Sequence, residues 1–293
     1  MQPTLQTKTL LLTAFLIGTI SLNARSADEK PQAPIRPEDR VIKIFNGKNL
    51  DGCYTWLKST KFDDPKHVFS VSDGILIISG DGLGALVTDK QYRDYHAILE
   101  FKWGERTWDS RVKAARDSGL LVHGIGPNGA YNGTWMTSIE TQIIEGGMGD
   151  FILVSGNDQN GKPIPLSLTC ETDRDPNGQA IWRRGNPRER IDNFNRQRVN
   201  WYGRDPTWKD EINFRGKIDP DYPAGQWNRM DVICDGGHIQ VYMNGVMVNE
   251  AFDSYPTAGR LQLQSELAEI HVRKWELWPL GKGPQPAVPL SSP

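Results

Sequence analysis

The sequence predicts an all-β fold, a two-sheet jelly-roll sandwich with one long loop insertion, and three observations predict it. Short runs rich in β-branched and aromatic residues recur from Val41 onward, each bounded by turn residues. Tight-turn pairs such as Asp73-Gly74 and Asn244-Gly245 lie between those runs. No amphipathic helical run accompanies them, so the apolar faces must be buried sheet against sheet.

The first residues read as an export signal. Lys8 supplies a positive region, Leu10 to Ile20 an apolar core and Ser21 to Ala27 a small-residue stretch suited to cleavage, so residues 1–27 are the predicted signal peptide. That apolar core of about eleven residues is too short to span a bilayer. The mature protein is therefore expected to be exported, periplasmic or extracellular, with no stable membrane insertion. Residues 28–40 are polar, contain three prolines and read as a linker. The folded domain is expected over 41–280, and 281–293 as a disordered Pro-rich tail.

Within the domain, Phe69 to Ser72 and Ile75 to Ser79 flank Asp73-Gly74 as a hairpin. Gly84 to Thr88, His96 to Trp103, Gly119 to His123, Ser138 to Ile144 and Phe151 to Val154 follow as strands. The C-terminal part reads as a meander of Arg229 to Cys234, His238 to Met243 and Val246 to Asn249, then Gly259 to Gln264 and Ala268 to Leu277, about twelve strands in all. Ser155 to Gln226 is the exception. It is rich in Arg, Asp, Asn, Pro and Trp, lacks periodicity, and reads as an elaborated loop over one face, held by Trp182, Trp201 and Trp208 or carrying binding groups.

Lys plus Arg number 34 against 36 Asp plus Glu, a near-neutral balance that gives no reason to expect nucleic acid or an anionic membrane as partner. Cys53, Cys170 and Cys234 allow at most one bridge, whose pairing the sequence leaves open, and make no disulfide framework; free buried thiols are the simpler expectation, and no spacing resembles a zinc site.

The chemistry concentrates in Ile139-Glu140-Thr141-Gln142-Ile143-Ile144-Glu145. Alternation sends Ile139, Thr141 and Ile143 into the core and leaves Glu140 and Gln142 on the other face. Glu145 joins Glu140 only if a β-bulge intervenes, which Gly146 and Gly147 would accommodate. The resulting E-x-Q-x-x-E resembles the bulged E-x-D-x-x-E strand of laminarinase-type retaining glycosidases, with Gln142 where the aspartate stands. A glutamine cannot tune its neighbours as a charged aspartate does, which disfavours ordinary double displacement. His123 ends an apolar strand beside Gly124. His271 is expected to share a strand face with Glu269, Arg273 and Trp275 as a polar and aromatic row, and Trp103, Trp135 and Trp201 are candidate sugar-stacking platforms.

Several separated motifs then agree. Phe45 to Gly52, Asp117-Ser118-Gly119-Leu120, Ile139 to Glu145, Gly225 to Asn228, Asn244-Gly245 and Leu261 to Glu266 with Val272-Arg273-Lys274 together resemble the 3-keto-disaccharide hydrolase domain family, over about Val41 to Leu280. The resemblance implies a concanavalin-like jelly roll acting on an oligosaccharide or glycoside. Its chemistry would be C2 proton abstraction from a 3-keto-glycoside, elimination of the aglycone and hydration. Such a reaction needs a base near C2, an oxyanion donor and an acid for the leaving oxygen.

The expected catalytic set is Glu140 or His123 as base and Glu145 as acid. Gln142, Arg273, Gln264, Glu266, His271, Trp103, Trp135 and Asp117 are the expected substrate-binding residues. No cofactor is predicted, although the clustered carboxylates are compatible with a divalent cation. The competing readings are a non-catalytic carbohydrate-binding module and a retaining glycosidase acting on unoxidised glycan.

Overall fold

The computed structural model describes residues 32–192 and 198–285. The predicted signal peptide therefore falls outside the described residues. In chain order the strands are β1 (Ile42–Lys43), β2 (Cys53–Leu57), β3 (Phe69–Ser72), β4 (Ile75–Ile78), β5 (Gly84–Thr88), β6 (Tyr95–Thr107), β7 (Asp117–Ile125), β8 (Thr137–Ile144) and β9 (Phe151–Val154). They continue with β10 (Ser167–Arg174), β11 (Ala180–Trp182), β12 (Arg188–Asp192), β13 (Arg198–Asn200), β14 (Asn228–Asp235), β15 (His238–Met243), β16 (Val246–Tyr255), β17 (Arg260–Ser265) and β18 (Ala268–Trp278). One short 3-10 turn, Asp109–Arg111, is the helical element among the described residues.

The strands form an all-β jelly-roll sandwich of two sheets. In the first, β3, β4, β18, β6, β14, β15 and β16 are neighbours in that order, with β1 beside the C-terminal half of β18. In the second the order is β2, β5, β17, β7, β8, β9, β13 and β11. Strand β10 belongs to both: its first half pairs with β12 and β16, and its last three residues pair with β11.

Alternation explains the core. Leu99, Phe101, Trp103, Val232, Ile270 and Trp275 of the first sheet face Leu120, Val122, Ile139, Ile143, Leu261 and Leu263 of the second in one continuous apolar cluster. A smaller cluster of Ala85, Val87, Leu121, Trp135, Met136 and Val154 lies on the other face of the second sheet. That face carries the polar residues described below.

All twelve expected strands are present; most agree within a few residues at their ends, while β6 runs on to Thr107 and β16 to Tyr255, past the expected Trp103 and Asn249. Six more, β1, β2 and β10 to β13, are additional. Four of these lie in the region read as loop. They are short or mostly polar: β11 is three apolar residues, too few to show a period, and Arg-Glu-Arg-Ile-Asp in β12 turns Ile191 alone inward. The expected linker is partly built in as well, since Ile35 N–H donates to Gln91 O at 2.8 Å and Arg93 N–H to Ile35 O at 3.0 Å. All three cysteines are free thiols. Among the described residues no helix is long and apolar enough to cross a membrane.

Candidate active site

The face of the second sheet turned away from the inter-sheet core gathers a buried polar row from β7, β8 and β17. In β8, residue Gln142 is opposite Gly119 and Glu140 is opposite Leu121; in β17, Gln262 is opposite Leu121. Period two then places Asp117, Gly119, Glu140, Gln142 and Gln264 on one face, with Glu266 just past the end of β17. Gly119 is what lets the row close up: a Cβ built there would collide with both the carboxyl of Glu140 and the amide of Gln264. Gln142 Nε2 donates to Asp117 Oδ1 at 3.1 Å, and Arg111 ion-pairs with the other oxygen of Asp117. Gln142 Oε1 and Gln264 Oε1 are buried without a hydrogen-bond partner. Unsatisfied polar atoms at one spot mark a site built to receive polar groups.

Electrostatics separate the carboxyls. Burial, then the neighbouring charge of Asp117, pushes Glu140 up to about 8, against which Arg198 and a hydrogen bond from the Gln264 side chain act in the opposite direction. Burial raises Asp117 to about 6, held back by Arg111 and Arg198. Glu266 is pushed well above the ordinary carboxylate range by burial and by Asp117 and Glu140. At neutral pH the trio thus holds both ionised and protonated carboxyls side by side.

Arg198 belongs to a support that the sequence reading missed. Asp150 is fully buried and binds Arg198 Nε at 3.0 Å, the guanidinium of Arg204 and Trp201 N–H at 2.6 Å. This ties β13 and the following turn to the loop after β8. Isolated arginines in an aperiodic stretch carry no sequence signal of such a node. Trp56 was missed too. It stands on the same face in the row Trp56, Ala85, Gln264, is partly exposed, and packs edge-on against Phe62 at 5.1 Å.

Asp117, Glu140, Gln142, Gln264 and Glu266 come together as a group, and the other expected site residues do not join them. Glu145 lies one residue past β8, which runs in unbroken register from Ile139 to Ile144, so the expected bulge is absent. Its carboxylate is occupied by Arg116 Nη1 at 2.8 Å and by the N–H groups of Arg116 and Asn213. His123 is turned away from the cluster. A register shift between Val122 and Ile125, with φ of +55° at His123, rotates the imidazole into the inter-sheet core. There it lies 6.1 Å from the Tyr95 ring, Nδ1 bonded to Pro256 O at 2.9 Å, and burial lowers it to about 4.

Arg273 and His271 are also misplaced by the sequence reading, because β17 and β18 belong to opposite sheets and the chain crosses the sandwich at Leu267. Arg273 binds Glu100 at 2.6 Å and lies over Trp227, while His271 meets Glu269 at 3.1 Å on the far surface. Trp103 is 1% exposed in the core, Trp201 and Trp275 are fully buried there as well, and none of the three can offer a face to a sugar. Trp135 lies on the correct side of the sheet, but it is buried, stacked on Tyr131 and anchored through Nε1 to Gly84 O at 2.9 Å. Among the described residues no group of three or more His, Cys, Asp or Glu is placed to hold a metal ion.

A family model described as the 3-keto-alpha-glucoside-1,2-lyase-like domain matches residues 40–277. The chain belongs to that family. It is a carbohydrate-acting, glycosyl hydrolase-like family. None of the curated proteins matches the chain. Among solved structures, a Parabacteroides distasonis protein described as a glycosyl hydrolase aligns with 82% of this chain and 94% of its own, at 16% identity and a TM-score of 0.46. A Bacillus licheniformis beta-glucanase aligns over 82% and 97% at 11% identity and a TM-score of 0.39. A carbohydrate binding module from Bacillus subtilis does so over 69% and 84% at 10% identity and 0.36.

Proposed function

We propose that this chain cleaves glycosides whose sugar ring carries a 3-keto group, by elimination followed by hydration. The observation that carries the reading is the trio Asp117, Glu140 and Glu266, whose proximity and burial keep acid and conjugate base together at neutral pH. A C3 ketone acidifies the proton on C2. A carboxylate removes it, and the electron pair moves to the C3 oxygen as an enolate. Collapse of the enolate breaks the C1–O bond, and the leaving oxygen takes a proton. Addition of water across the C1–C2 double bond gives net hydrolysis.

Asp117, the carboxyl raised least, serves as base at C2, and protonated Glu140 donates to the leaving oxygen. The amide of Gln264, beside Glu140, supplies the enolate donor. Gln142 fixes Asp117 through its 3.1 Å hydrogen bond. Glu145, the acid expected from sequence, is occupied by Arg116 and takes no part in this scheme. The trio supports an enzyme over a binding module, which needs no acid and base.

The test is release of aglycone from a 3-keto-glucoside beside its unoxidised parent. Turnover of the keto substrate alone supports the reading. Sugar binding without turnover, or equal cleavage of the unoxidised parent, overturns it. Export is proposed on residues 1–27 alone, and N-terminal sequencing of the mature protein would show cleavage near Ala27 if it is correct.

A further inference from the structure

Next to the carboxyl trio, the strands of the 155–226 region enclose an open cleft of about 840 Å³. Its wall begins where the trio ends. Ile152, directly opposite Glu140 in the sheet, lines it, and so does Arg198, whose charge acts on all three carboxyls. The volume falls in the range of sites that take a whole small ligand. Four arginines and four carboxylates line it, so no net charge recruits an anion or a cation.

Asn200 carries the specific signal. It is 1% exposed and lines the cleft; its Nδ2 donates to Gln179 Oε1 at 3.1 Å, and its Oδ1 is buried with no hydrogen-bond partner. A buried amide oxygen left open beside an exposed glutamine amide offers acceptor and donor together, the pairing a hydroxyl needs. Trp208, partly exposed at the rim with Arg204 over its ring at 4.3 Å, adds an aromatic edge.

Resting on the elimination reading above, we infer that this cleft is the leaving-group subsite and that Asn200 and Gln179 select an uncharged, hydroxyl-rich aglycone over an apolar one. Retention of the leaving group beside Glu140 would place its oxygen next to the proton it must receive.

Two 3-keto-glucosides are compared, one with a glucose aglycone and one with a nitrophenyl aglycone. Asn200→Ala and, as a surface variant that spares the fold, Gln179→Ala should each lower the ratio of kcat/KM for the first over the second by about tenfold, chiefly through KM. An unchanged ratio in both variants overturns the assignment. A separate NMR titration with free glucose reads the subsite without any turnover. Millimolar binding that perturbs the Trp208 indole signal and is lost in Gln179→Ala supports it, and no binding to the wild-type protein overturns it. If glucose binds but neither keto substrate turns over, the elimination reading fails and the hydroxyl-selective site stands.

Discussion

Replacing Glu140 by glutamine should stabilise this protein at alkaline pH while removing its activity. The carboxyl is displaced from an ordinary 4.5 to about 8, a rise of ~3.5 pH units, with burial first and Asp117 second as causes. A carboxyl whose folded value lies above its unfolded value favours the folded state only while protonated, so its stability contribution is lost as pH rises from about 4.5 to about 8. At about 1.4 kcal/mol per pH unit, the folded state carries a penalty on the order of 4 kcal/mol at pH ~8. Glutamine keeps the shape and cannot ionise. Its amide must still be buried beside Gln264, so roughly 2–4 kcal/mol of the penalty should be recovered. For a chain of this size that is a rise of roughly 5–10 °C in Tm at pH ~8, shrinking to near zero at pH ~4.5. Calorimetry of both proteins across that interval is the assay. A Glu140→Gln protein that tracks the wild type at every pH would refute the claim that burial and Asp117 hold the Glu140 proton.

Other outcomes follow from the same geometry. The kcat/KM of a 3-keto-glucoside should be bell-shaped, rising as Asp117 ionises near 6 and falling as Glu140 loses its proton near 8; a profile flat from pH ~5 to ~9 would separate these groups from the chemistry. Gly119→Ala should fold, since its backbone has no positive φ, yet lower turnover by about tenfold or more by displacing Glu140 and Gln264; unchanged kcat would show that their placement is not needed. Glu145→Gln should act on stability, costing about 3 kcal/mol by leaving buried Arg116 unpaired, and a denaturant midpoint equal to the wild type would contradict that role. Trp56→Ala should raise KM severalfold with little change in kcat through loss of its partly exposed ring, and an unaltered KM would remove it from the site.

The sequence by itself determined the sandwich and its polar face. Period two in Ile139 to Ile144 is a local property of any extended chain, so it sorted core from open face without knowledge of the neighbours. The turn pairs fixed the C-terminal meander for the same reason. Even the partners Asp117, Gln142, Gln264 and Glu266 were legible as residues of interest. Which of them meet was not. His123 left the site through one irregular residue pair, and Arg273 and His271 left it because β17 and β18 part into opposite sheets. Glu145 was claimed by Arg116, next to the start of β7, and Asn200 came to the cleft on a strand with no apolar pattern. A bulge, a sheet crossing and an ion pair between distant strands each depend on what lies across the fold. Only the tertiary structure decided them, and the displaced proton on Glu140, which exists because three carboxyls and a dry sheet face are brought together, was decided there too.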